Sequence, residues 1–233
     1  MSVPTDFEAE FERIEAAVDA GNADLRALGF WRLLAKVKAE RALSIHWADQ
    51  AGRIDRKAFE ARVRLRFPVW FGNLVLLGGA LVGAVATWVA LNAEDPLVAG
   101  LALVFAGLAW AVAFHSPTHW LVGRIVGIRF TAYFFGGPFP PRPGVKTDYA
   151  TYLRASPTSR VWMHASGAIA TKLAPFLAFA FWPATDAPGW AAVALVAVGV
   201  VQIVTDVALS TRNSDWKKVR RELRAARAQD ANR

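Results

Sequence analysis

Four long apolar runs divide the chain, and short polar connections separate them. Residues 68–91 carry no charged side chain and are long enough to cross a bilayer as a helix. Residues 97–114 are also uncharged, and their helical pattern extends to about Gly127. Residues 161–182 form a third run, interrupted by His164 and Lys172. Residues 189–209 form a fourth, interrupted by Asp206. Each run predicts a transmembrane helix. Trp70, Trp88, Trp182 and Trp190 fall near the predicted ends, as an interfacial aromatic belt would.

The flanking segments are amphipathic. Residues 5–66 predict two or three helices, with Thr5 and Asp6 suited to an N-cap and Gly21-Asn22 to a break. The acidic first helix and the basic later ones suit a hairpin, and His46 reads as a surface or packing residue. Residues 128–148 alternate only briefly. Gly136, Gly137 and four prolines then interrupt them, predicting a short strand or hairpin and an irregular loop at the inner face of the membrane. The tail predicts a basic helix with Asp215 near its start. The expected fold is an all-α polytopic membrane protein of three parts. Residues 1–66 form cytoplasmic helices, 67–210 a four-helix membrane domain with the hairpin between its second and third helices, and 211–233 a basic cytoplasmic tail helix.

Charge placement orients the chain. The connections at residues 92–96 and 183–188 contain no Lys or Arg. Arg62, Arg64 and Arg66 precede the first span, and Arg124, Arg129, Arg142, Lys146, Arg154 and Arg160 lie between the second and third. Eight more basic residues follow Ser210. The positive-inside rule then puts both termini in the cytoplasm. The expected location is integral in a prokaryotic-type plasma membrane, with the lipid bilayer as partner. The acidic start of the chain predicts no cleavable signal peptide. The net charge is +8, but no recognition motif accompanies it, so no nucleic-acid partner is expected. The chain has no cysteine, which excludes disulfides and thiolate metal sites.

Candidate chemistry centres on His115 and His119. Four residues apart on a helix, they share one face and suit a single metal ion. Depth adds two further groups. At the helical rise, His115 and His164 lie about 28 Å from the outer ends of their spans. Asp206 lies at about 27 Å. Lys172 sits shallower, at about 16 Å, with Asp206 as its available carboxylate partner roughly two turns deeper. Ser116-Pro117 interrupts the pattern, because serine then proline also suits a helix start. A second helix beginning there would remove the i, i+4 geometry.

Three segments together resemble the site-2 protease family of intramembrane zinc metalloproteases. HSPTHWLVGRIVGIRFTAYFFGGP is similar to that family's HExxH helix with its following turn, strand and Gly-rich loop. SGAIATKLAPFLA is similar to its AGPxAN segment, and VQIVTDVALS to its LDG segment. The resemblance covers roughly residues 97–210. It implies zinc held by His115, His119 and Asp206, with Thr171 at the family's substrate-side asparagine. It also has departures. Ser116 stands at the general-base glutamate, Ala168 at a proline and Val207 at a glycine. A serine hydroxyl cannot take a proton from zinc-bound water near neutral pH, so no catalytic residue is assigned. His164 as a fourth ligand would close the coordination sphere, the mark of a structural zinc site.

The expected function is that of a catalytically impaired homologue, binding a transmembrane helix of a substrate or partner protein. Two alternatives stay open. One is an active metallopeptidase with an unusual base. The other is a non-enzymatic membrane scaffold or transporter-like protein without metal, in which Lys172 and Asp206 pair.

Overall fold

Helix dominates because the apolar runs are long enough to continue through Pro117 and Pro175, and the polar flanks repeat at helical spacing. The structure is a computed structural model that describes residues 5–136, 142–208 and 214–231. In chain order its elements are α1 (Thr5–Asp19), α2 (Phe30–Val37), α3 (Arg41–His46), α4 (Ala48–Arg62) and β1 (Leu65–Phe67). Next come α5 (Val69–Asn92), α6 (Pro96–Ile125), β2 (Phe130–Gly136), β3 (Arg142–Thr147) and α7 (Tyr149–Arg154). The chain continues with α8 (Pro157–Phe181), a 3-10 turn (Trp182–Ala184), α9 (Gly189–Ala208) and α10 (Asp215–Ala231). These elements form two compact units.

The first unit gathers α1–α4, the sheet, α7 and the larger part of α10. Phe11 and Ile14 of α1, Phe30, Leu33 and Leu34 of α2, Ile54 of α4 and Leu153 of α7 make its core. The chain leaves α1 through Gly21, whose φ of 95° favours glycine. The acidic α1 pairs with basic α4, with Lys57 Nζ 2.7 Å from Asp19 and Arg53 Nε 3.3 Å from Glu15. The sequence-predicted hairpin is β2–β3, antiparallel with Tyr133 opposite Val145. The irregular stretch at residues 137–141 lies outside the described residues. Two elements differ from expectation. Residues 65–67, at the expected junction of the N-terminal helices (1–66) and the membrane domain (67–210), form a strand that pairs with β2, and α7 follows the hairpin. Both are too short for a periodic signal and depend on tertiary partners.

One buried ionic cluster ties α10 into this unit. Glu222 accepts hydrogen bonds from Lys38 Nζ at 2.6 Å, Arg160 Nε at 2.5 Å and Tyr152 Oη at 2.8 Å. Arg160 and Glu222 are essentially inaccessible to solvent. Burial pushes the Glu222 carboxyl up, but the two cations and their hydrogen bonds outweigh it and hold it down to about 2. Burial also draws Lys38 down to about 8 against the pull of Glu222, so both partners are charged at pH 7.

The second unit contains four helices long and apolar enough to cross a membrane: α5, α6, α8 with its 3-10 turn, and α9 to Asp206. They pack through small residues. Ala99, Ala111, Ala174, Ala178 and Ala191 surround Leu103, Trp110 and Leu195. A Cβ on Gly107 of α6 would lie 2.8 Å from Leu195 and 3.2 Å from Ala178, so glycine permits this close approach. Large apolar side chains point outward instead, among them Leu74, Leu101, Val193 and Val204. Trp70, Trp88 and Trp190 are exposed near helix ends, and Trp182 donates to Ala187 O at 2.8 Å.

Glu222 gives the first unit a defined acid response. Its ionised form stabilises the fold above its ordinary value of 4.5, and that contribution is lost as pH falls toward 2. Denaturation of the detergent-solubilised protein between pH 6 and pH 2 measures this. Glu222→Ala is expected to remove that part of the acid dependence and to cost about 3–5 kcal/mol at neutral pH, because two buried cations lose their anion.

Candidate metal centre

His115 and His119 sit on one face of α6, their ring centroids 4.8 Å apart. The helix runs unbroken through Pro117, so the restart at Ser116-Pro117 does not occur. Proline removes one N–H from the ladder, and Thr118 Oγ1 makes a local bond to Phe114 O at 2.6 Å. The i, i+4 geometry is kept.

Helix α8 aims both rings. His119 Nδ1 lies 2.6 Å from Met163 O. His115 Nδ1 lies 2.9 Å from Thr171 Oγ1 and 3.2 Å from Gly167 O. Thr171 Oγ1 donates to Gly167 O at 3.0 Å, so it accepts from His115. A carbonyl can only accept, so His119 also carries hydrogen on Nδ1. These assignments follow from the hydrogen-bond network. They leave both Nε2 atoms facing the same way.

What they face is Asp215, in the first turn of α10. Its Oδ2 lies 3.2 Å from His119 Nε2 and 3.5 Å from His115 Nε2. Ser214 Oγ caps this turn by accepting from Lys217 N–H at 3.3 Å. Lys218 Nζ holds the other oxygen, Oδ1, at 2.9 Å. Burial raises the Asp215 carboxyl, but a hydrogen bond from His119, which requires a proton on Nε2 as well as Nδ1, and the Lys218 charge hold it well below the usual carboxylate range. Asp215 is therefore an anion.

With Nδ1 protonated, a neutral His119 directs a lone pair at that anion. Two acceptors at 3.2 Å repel unless a second ring proton or a cation stands between them. The distances suit a cation. Zinc bonds of 2.0–2.2 Å to nitrogen and oxygen give tetrahedral edges of about 3.3 Å. The ligand atoms of all three residues lie within 4.8 Å of one another. Carbonyl or hydroxyl contacts at Nδ1 are the usual outer support of metal-binding histidines. His119 is nearly buried, whereas the His115 side chain is 41% exposed, which leaves one side of the site open.

The other predicted residues lie as follows. Asp206, expected as the carboxylate ligand, is 2.5 Å from Lys172 Nζ, and Lys172 also donates to Ala168 O at 3.2 Å. His164 is half-buried on α8 and is not among the three grouped ligands. Thr171 touches His115, and Ser116 follows it on α6. Among the described residues, His115, His119 and Asp215 are the one such group. The carboxylate missed in the sequence had a signal. Asp215 and Glu222 are seven apart, on one face of a predominantly basic helix.

Comparison with family models, with curated proteins and with solved structures finds no match. The site must therefore be judged on its own geometry.

Gly167 offers a direct check of that geometry. A Cβ there would lie 2.3 Å from His119 Nε2 and 2.6 Å from Cε1. Gly167→Ala is expected to displace the ring and weaken metal retention by about tenfold or more. Competition with a metal-sensitive dye measures the loss, and unchanged circular dichroism shows that the helices remain.

Proposed function

We propose that the chain is an integral membrane metalloprotein built on a plan similar to that of the site-2 proteases. In this reading it has lost catalysis and acts by binding a transmembrane helix of another protein. The observation that carries the reading is the convergence of two histidine Nε2 atoms on an ionised carboxylate oxygen, at 3.2 and 3.5 Å. Two imidazoles and a carboxylate, with no thiolate, make a suitable zinc set. Zinc bound there would act as a Lewis acid on an oxygen ligand. His115 and His119 would hold it, Met163 O and Thr171 would orient them, and Asp215 would balance its charge.

The loss of catalysis rests on Ser116, which occupies the position of the proton acceptor. Asp215 is engaged by Lys218 and both histidines. The third ligand differs from the one implied by the resemblance, since it comes from the tail helix. Four apolar helices and exposed apolar faces support contact with lipid. The distribution of arginines supports cytoplasmic termini, in what this reading takes as a prokaryotic-type plasma membrane.

Metal analysis of protein purified without chelator tests the site. About one zinc per chain is expected in the wild type, as one set of three converging ligands holds one ion. Zinc should be lost in His119→Ala and in Asp215→Ala, and kept in Asp206→Ala. A wild type without metal, or zinc lost in Asp206→Ala alone, overturns the ligand set.

A second reading has its own observation. The Lys172–Asp206 pair joins α8 to α9 at 2.5 Å and suits a membrane scaffold that needs no metal. Here Lys172→Asp and Asp206→Lys should each lower the melting temperature, and the double exchange should restore most of the loss. Additive losses in the double variant would dismiss the pair as a structural clasp.

A further inference from the structure

Helix α10 sorts its charges by face. At 100° per residue, Asp215, Val219, Glu222, Ala226 and Gln229 share one side. Val219, Glu222 and Gln229 are buried there. Asp215 faces the histidines, Glu222 binds Lys38 and Arg160, and Gln229 donates to Lys38 O at 2.9 Å. Lys217, Arg220, Arg224 and Arg227 share the opposite side, and the three arginines are exposed. Between residues 215 and 229 both carboxylates are thus turned inward, which leaves the outer stripe cationic. Asp230, past its end, is the nearest exposed acid in the helix.

We propose that this stripe docks on anionic phospholipid headgroups. The proposal rests on the reading of α9 as a membrane span, but not on the metal. Three facts select lipid as the occupant. Charge is complementary, and arginine's planar fork suits phosphate oxygens. The first turn of α10 belongs to the same compact unit as the four apolar helices. Only residues 209–214 separate α9 from α10, a tether of at most about 25 Å. Leu223, 43% exposed at the edge of the stripe, adds an apolar contact of the kind interfacial helices use.

The absence of cysteine allows a unique probe. Leu223→Cys, labelled with an environment-sensitive fluorophore, is placed in nanodiscs as the full-length protein. Discs of phosphatidylcholine alone are compared with discs containing phosphatidylglycerol. A blue shift in the anionic discs is expected, reversed by high salt and abolished in the Arg220→Gln/Arg224→Gln/Arg227→Gln variant. Apparent affinity should fall about fivefold for each arginine removed singly. Equal spectra in both discs overturn the proposal, as does a shift that survives the triple substitution. A shift produced by added oligonucleotide but not by phosphatidylglycerol would assign the stripe to nucleic acid instead. Failure of the protein to co-migrate with discs at all would instead reject the membrane reading beneath it. Zinc content, measured on the same samples, reports separately on the metal site.

Discussion

The close approach of α6 and α8 at Gly167 sets the geometry of the candidate site. Only a residue without Cβ leaves room for the His119 ring. That contact allows Met163 O and Thr171 to engage the two Nδ1 atoms. Once those atoms are engaged, both Nε2 atoms must turn the other way, toward Asp215. The site is thus a product of hydrogen inventory as much as of proximity. A carbonyl takes a hydrogen from one ring nitrogen, and the other nitrogen faces a carboxylate, so a second ring proton or a cation must lie between them.

The four apolar helices were legible from the sequence because their signal is long and local. The end of α1 at Gly21 and the β2–β3 hairpin had turn residues to announce them. β1 and α7 had no such signal, since a strand of three residues and a helix of six exist only through their neighbours. The histidine pair was equally legible, as spacing alone put it on one face. Its carboxylate was not. The family resemblance implied Asp206 and depth along a span agreed with it, but depth ignores side-chain direction and segments beyond the last span. Asp215 comes from such a segment, where the basic composition of the tail concealed an acidic inner face.

The Glu222 cluster and the outer stripe of α10 express one division of labour. In an arginine-rich helix, Asp215 and Glu222 are placed on the inner face, and Glu222 where burial makes an anion necessary. Lys38 and Arg160 would otherwise be buried cations without a counter-ion. The exposed face has no such need, and keeps its arginines uncompensated.

Side-chain direction also explains how Lys172 meets an aspartate placed about two turns deeper. Every side chain on a helix leans toward that helix's N-terminus, so a lysine reaches one way only along its axis. On α8 that way leads toward Asp206. The pairs His115 with Thr171 and His119 with Met163 show that α6 and α8 run antiparallel. A lysine at the same level on α6 would therefore lean in the opposite direction, away from the depth of Asp206. Helix polarity thus works as a ratchet on where charge can sit: the same residue at the same depth serves opposite sides of a membrane according to the direction in which its helix was threaded.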